Sequence, residues 1–254
     1  MKKYFGIILA AMLMVGAAGQ AMAFFAEGEL IRVVYNHTGT VEVATDLGSA
    51  TSLAGTAANA NLTVGGGAAA FSLGQVTGAT NVDQLFVAYF GKINGIQDAW
   101  LSGNPAAAPK SGAFKFGGFN SDVTNMSGYY AIQPGTTGTV SGAQSAPNSF
   151  NTLFNDMPFE RYNFFGGFIP LMSPGGEMNL AALSTVGFVD QTLYFFDSPQ
   201  SALFGVATVT LRTMADGSTI INPGSASAVP IPPSVLLLGS GLLGMIGIRR
   251  KISA

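Results

Sequence analysis

Short runs of β-branched and aromatic residues, each cut off by Gly, Pro, Asn or Asp, fill the middle of the chain and favour strands over helices. Leu30-Ile31-Arg32-Val33-Val34-Tyr35 and Val41-Glu42-Val43-Ala44-Thr45 flank Asn36-His37-Thr38-Gly39, which predicts a hairpin with a short glycine-containing loop. Further strands are expected at Leu85–Phe90, Ala113–Phe116, Tyr129–Ile132, Thr192–Phe196 and Gly205–Leu211. A second hairpin pairs Val206–Arg212 with Thr219–Asn222 across Asp216-Gly217-Ser218, a strong turn sequence. Helical signals are weaker, with two turns over Glu177–Leu183 and one over Phe150–Asn155. Gly65-Gly66-Gly67, Pro105–Pro109 and Pro134–Pro147 read as long loops, since strand-like runs resume on either side. No fixed-period repeat is present. Many short strands with glycine-rich turns predict a mainly β fold, an antiparallel sandwich or jelly-roll-like body, with two domains split near Pro134 as the alternative.

Both ends of the chain carry longer apolar runs of a different kind. Lys2 and Lys3 precede an apolar stretch from Phe5 to Ala18, and Ala21-Met22-Ala23 supplies small residues at the −3 and −1 positions of a signal-peptidase site. Residues 1–23 are therefore expected to be a signal peptide cut after Ala23, leaving Phe24 as the mature N-terminus. The competing reading, an uncleaved anchor, is disfavoured because the run is short for a span. The other end reads Val229-Pro230-Ile231-Pro232-Pro233-Ser234, then an apolar run from Val235 to Ile248, then Arg249-Arg250-Lys251. Prolines suit the first turn of a helix, where a missing N–H costs nothing. Fourteen apolar residues make about 21 Å of helix, so snorkelling of the basic triplet and local thinning would have to absorb the shortfall against a bilayer core of about 30 Å. The same triplet acts as a cytoplasmic anchor by the positive-inside rule, with the passenger outside. A buried core helix is the competing reading, and an all-round apolar helix there has little protein to cover it.

This order of proline motif, short glycine-interrupted apolar helix and basic cluster resembles the PEP-CTERM sorting signal of Gram-negative bacteria, in a Val-Pro-x-Pro-Pro form carried by Val229, Pro230, Pro232 and Pro233. Ile231 stands where the family's name motif has glutamate. The resemblance is confined to residues 229–254. It implies a transiently membrane-anchored substrate of an exosortase, an integral membrane transpeptidase of bacteria that make exopolysaccharide and biofilm matrix, with the product at the cell surface or in that matrix. Signal peptidase and exosortase are then the partners of export, and exopolysaccharide the expected partner afterwards. Between the signals lies one exported passenger, residues 24–228.

Composition removes several kinds of chemistry. Absence of cysteine excludes disulfide scaffolds, thiolate metal sites and cysteine nucleophiles. Charged residues are 9% of the chain, against about 25% in ordinary soluble domains, and the lysines and arginines form no patch for nucleic acid outside the two ends. With Lys2, Lys3, Arg249, Arg250 and Lys251 set aside, six basic residues face thirteen acidic ones, a formal charge of −7. Low charge on exposed strand edges also leaves self-association open.

Candidate chemistry within the passenger is sparse. The single histidine, His37, sits in a predicted tight turn without a Gly-x-Ser-x-Gly elbow, so a Ser-His-acid triad is not expected. No metal site and no cofactor is expected from the inventory of ligands. Gly239-Ser240-Gly241-Leu242-Leu243-Gly244 matches Gly-x-Gly-x-x-Gly, but no strand and acidic residue can follow it so close to the basic triplet. Ser240 and Gly244 fit better as a small-residue helix-packing face toward a partner helix such as the processing enzyme's. Glu27 with Glu29 share one face if both lie on a strand, as a solvated edge. Asp156-Met157-Pro158-Phe159-Glu160-Arg161-Tyr162 adjoins charged and aromatic groups on a proline bend. With Trp100, the residues Asp156, Glu160, Arg161 and Tyr162 are the candidate sugar contacts, since sugars take aromatic faces and carboxylates or amides. A core-entry loop is the plainer reading of that stretch. Asn36-His37-Thr38, Asn61-Leu62-Thr63 and Asn125-Met126-Ser127 are glycosylation-type triplets.

The expectation from sequence is thus a non-enzymatic surface or matrix protein. A carbohydrate-binding module is the alternative, and a carboxylate-dependent glycoside hydrolase is the more remote one.

Overall fold

A computed structural model describes residues 24–95, 98–103, 105, 116–136, 138–155, 177–197 and 205–224. Strands come first: β1 (Glu29–Tyr35), β2 (Val41–Ser49), then the short helix α1 (Ala50–Ala54), β3 (Leu62–Val64), β4 (Phe86–Ile93) and β5 (Asp98–Gly103). The long helix α2 (Phe116–Ala131) follows, then β6 (Gly135–Thr136), β7 (Thr139–Ala143) and a single π turn over Asn151–Asn155. The last elements are β8 (Glu177–Asn179), the one-turn helix α3 (Ala182–Thr185), β9 (Phe188–Phe196), β10 (Val206–Met214) and β11 (Thr219–Ile221).

All eleven strands belong to one sheet, in the order β3-β11-β10-β9-β5-β4-β1-β2-β7-β6, with β8 beside β4 on the same edge as β5. Every pairing is antiparallel. The mainly β, antiparallel expectation holds, and the strands form one continuous curled ladder in place of two separate stacked sheets. Strands from both sides of Pro134 are neighbours in it, as in β2–β7 and β5–β9.

The central strands read as nearly unbroken apolar runs because both faces are covered. Ile31, Val33 and Tyr35 of β1 join Ala88 and Phe90 of β4 and Tyr194 and Phe196 of β9 on the outer face. Val123, Met126 and Tyr130 of α2, with Phe150 and Leu153, close over that face. Leu30 and Val34 point the other way, into a core shared with Trp100, Leu193, Leu211 and Ile221.

Hydrogen bonds across this inner core show how far the sheet curls. The Tyr89 hydroxyl on β4 lies 2.6 Å from Thr213 Oγ1 on β10 and 2.9 Å from Thr219 Oγ1 on β11, although β5 and β9 separate these strands along the ladder. Arg32, fully buried, donates from Nη1 to the Gly217 carbonyl at 2.8 Å and Thr219 Oγ1 at 3.0 Å. Its Nη2 reaches Thr45 Oγ1 at 3.1 Å and the carbonyls of Gly65 and Ala69 at 3.4 Å. Thr139 on β7 also donates to the Ala69 carbonyl, at 2.7 Å. Side chains, without a strand ladder, thereby draw the segment after β3 onto β2 and β7. Gly65 suits this approach: its φ is +56° and a Cβ would lie 2.6 Å from Leu47 Cδ2.

Both predicted hairpins are present, β1–β2 and β10–β11. Tyr129–Ile132 is not a strand. Tyr129, Tyr130 and Ala131 end α2, and Ile132 follows it, because Val123, Met126 and Tyr130 recur on one helical face and this period outweighs the local β propensity of Tyr-Tyr-Ala-Ile. Of Ala113–Phe116, only Phe116 is described, and it opens the same helix. Glu177–Leu183 does not form two helical turns. Its first residues pair with the free edge of β4 as β8, and helix begins only at Ala182. The single turn expected at Phe150–Asn155 appears as the π turn. Among the described residues no helix is long and apolar enough to cross a membrane. Val235–Ile248 lies outside the described residues.

Candidate functional site

One group of titratable side chains gathers where the β1–β2 hairpin turns. Asn36 starts the turn, its carbonyl accepting the Gly39 N–H at 2.8 Å and its Oδ1 the Thr38 N–H at 3.1 Å. That geometry swings His37 onto the outer face, its ring centroid 4.2 Å from that of Phe86 and 5.2 Å from that of Tyr35, both edge-on. β8 brings Glu177 opposite Ala88 on the same face, and His37 Nε2 meets Glu177 Oε1 at 3.1 Å. The histidine side chain is 39% exposed and the glutamate 6%. Glu177 Oε2 is buried without a hydrogen-bond partner. Burial pushes the Glu177 carboxyl up to about 7 and holds the His37 imidazole below its ordinary value.

A second carboxyl lies toward the same end of that face. Glu42, on β2 next to Val41 at the hairpin's return, is fully buried. Its Oε1 accepts the Tyr130 hydroxyl at 2.6 Å and the Phe150 N–H at 2.8 Å, and its Oε2 accepts the Asn151 N–H at 3.0 Å. Burial raises this carboxyl to about 7 even though all three donors favour the ionised form. The Tyr130 phenol is pushed well above its usual range by burial and by the neighbouring Glu42 charge. Tyr35 and Phe150 pack at 5.3 Å beside these carboxyls.

This arrangement can exchange protons near neutral pH. His37 is held through one ring nitrogen by a buried carboxylate, as an orienting acid holds a general base. Among the described residues no serine or threonine hydroxyl hydrogen-bonds to His37, and no three His, Asp or Glu side chains converge to hold a metal. Arg32 forms the other polar constellation, enclosed in the inner core and stacked 5.1 Å from the Phe71 ring centroid.

Trp100 is a core residue and does not present a sugar contact. It is 2% exposed on β5, packed 5.1 Å from Phe195, because β5 sits between β4 and β9 with both faces covered. Glu27 precedes β1 in a turn, so it shares no strand face with Glu29; it accepts the Asn94 N–H, while Glu29 lies beside Asp46. Asp156, Glu160, Arg161 and Tyr162 lie outside the described residues. So do the cleavage residues Ala21 and Ala23, the sorting residues Val229, Pro230, Pro232 and Pro233, the helix-packing pair Ser240 and Gly244, and the basic triplet Arg249, Arg250 and Lys251.

Sequence reading missed Glu42 and the pairing of Glu177 with His37. Glu42 stands between two valines in a strand pattern, and a charge in such a run is a sign of either an exposed face or a satisfied buried group. Glu177 and His37 are 140 positions apart, so no local signal joins them. Compared with known proteins, the chain matches no family model, no curated protein and no solved structure.

Proposed function

We propose that the chain is an exported, non-enzymatic component of the cell surface or extracellular matrix. In this reading a signal peptide carries it across the inner membrane of a Gram-negative bacterium, and an exosortase-type system sorts it by its C-terminal signal. The observation that carries the proposal is the order at the C-terminal end: Val229-Pro230-Ile231-Pro232-Pro233, an apolar run through Ile248, then Arg249-Arg250-Lys251, matched by a basic, apolar and small-residue signal at the other end. The folded part suits such a role. β11, the last strand among the described residues, ends at Ile221, ahead of the proline motif in sequence. Exopolysaccharide is the matrix it joins, and the membrane is occupied only in transit.

Replacing Pro230, Pro232 and Pro233 together by alanine in the native host tests the motif. The expected result is accumulation of a longer, membrane-fraction form and its loss from the matrix fraction. An unchanged distribution would remove the sorting reading. Arg249, Arg250 and Lys251 changed to glutamine are expected to release uncut chain in place of retaining it.

A further inference from the structure

Phe24 and Phe25, ahead of β1, are anchored at an acidic corner of the sheet. The Phe25 N–H donates to Asp46 Oδ2 at 2.6 Å, and the Gly48 N–H donates to Asp46 Oδ1 at 2.9 Å. The Phe25 side chain is buried in the outer core, its ring centroid 5.5 Å from that of Tyr130 on α2. Its backbone takes a φ of +63°, uncommon for a residue with a bulky side chain, so ring burial and the bond to Asp46 together hold it in place. The Phe24 ring lies over Gly138, where a Cβ would come within 2.9 Å of Phe24 Cδ1, and the Gly138 carbonyl accepts the Asp46 N–H at 2.8 Å. Glu29 stands at the same corner. Its Oε2 is 4.0 Å from where a Gly48 Cβ would be, and its charge opposes that of Asp46. Among the described residues neither carboxyl is ion-paired with a lysine or arginine, and Lys92 of β4 acts on Glu27. Two like charges sharing a half-buried corner are unfavourable without a cation.

We propose that the cation for this corner is the α-ammonium of Phe24, created when the chain is cut after Ala23, and that its pairing with Asp46 fastens the mature N-terminus to the sheet. The cut itself rests on the export reading. In it, water adds across the Ala23–Phe24 peptide bond: the oxygen goes to the Ala23 carbonyl carbon and both protons end on the Phe24 nitrogen, leaving a carboxylate and an ammonium. The Phe24 nitrogen is one residue from the Phe25 nitrogen that touches Asp46. One residue spans at most about 3.6 Å, so the ammonium forms within about 6 Å of Asp46 Oδ2. An opposite charge at that range favours the charged form of each partner. Before the cut the same nitrogen is a neutral amide, so the pair belongs to the processed chain alone. Removal of the signal peptide thereby does more than release the protein: it supplies the charge that completes the corner where β2 and the N-terminal segment meet.

Labelling of the α-amine with an acylating reagent across a range of pH, on folded protein recovered from the native host, tests the pair. The mass of the N-terminal peptide reads the extent of labelling and also reports the residue at which the chain starts. The Phe24 amine is expected to titrate with a midpoint about one pH unit above the value near 8 of an ordinary chain terminus. Asp46→Asn, which keeps the size of the side chain and removes its charge, is expected to return the midpoint to that ordinary value. Should Asp46→Asn not fold, Glu29→Gln is expected to lower the midpoint by about half as much, through the more distant charge. An ordinary midpoint in the unaltered protein, or a raised one that survives the change at Asp46, would overturn the proposal and leave the export reading standing. An N-terminal peptide that starts at another residue would remove the cut after Ala23, and the pair with it.

Discussion

Arg32 ties together parts of the curled sheet that lie far apart in sequence. A guanidinium removed from water is costly unless its donors find acceptors, and here the two terminal nitrogens find the Gly217 carbonyl and Thr219 across the core, Thr45 on the paired strand β2, and the carbonyls of Gly65 and Ala69. Among the described residues no carboxylate hydrogen-bonds to it, and its charge is spread over carbonyl and hydroxyl dipoles. Arg32→Met keeps the stem's packing but strands those acceptors. It is expected to lower unfolding stability by about 3 kcal/mol, read as a shift in the urea midpoint, whereas a change below about 0.5 kcal/mol would show that the network is dispensable. Glu42 is the opposite case, a buried acid whose folded state prefers the neutral form. Its contribution is fully present below about pH 4.5 and is lost as pH rises through about 7, up to about 3 kcal/mol in all. Glu42→Gln is therefore expected to flatten the decline in thermal stability between pH 5 and pH 8, and an unaltered decline would assign it to other groups. Neither residue announces its role in the sequence. Arg32 sits inside an apolar run where an arginine reads as an ordinary alternate-face residue, and its acceptors lie up to 187 positions away.

At the scale of elements, local chemistry made some parts readable and hid others. The two hairpins were legible because turn residues and alternating strands lie side by side in sequence. Asp216 illustrates this: its Oδ1 accepts the Ser218 N–H at 2.9 Å and the Ser218 hydroxyl at 2.6 Å, while Gly217 takes a φ of +82°. A Cβ at Gly217 would run into the Phe71 carbonyl oxygen, so Gly217→Ala is expected to cost about 2 kcal/mol and to speed amide hydrogen exchange, measured at Thr219–Ile221. β3, β6 and β8 were not legible, being three residues or fewer and made by the neighbours they pair with; β5 was not expected either, and β7 lies within Pro134–Pro147, which reads as a loop until β2 pairs with it. α2 was hidden for another reason. Gly128, Tyr129 and Tyr130 are poor helix formers, and only the burial of Val123, Met126 and Tyr130 against the outer face holds them helical. Met126→Ala is expected to cost about 3 kcal/mol through the cavity left under α2, and to loosen Phe150 with it, since Tyr130 and Phe150 share Glu42.

Considered whole, the described residues form one curled antiparallel sheet enclosed on both faces, and the proposed role assigns export and sorting to the two ends of the chain. The ladder ends in short strands, and its two faces carry two apolar cores, with the buried Arg32 on the inner one. Intact mass of the native protein recovered from matrix and membrane fractions, with the full chain and with residues from Val229 onward removed, tests that role most directly. The account predicts a mature form beginning at Phe24, ending near the proline motif, and found in the matrix only when the tail is encoded. A form that keeps Arg249-Arg250-Lys251 and stays with the membrane would contradict it.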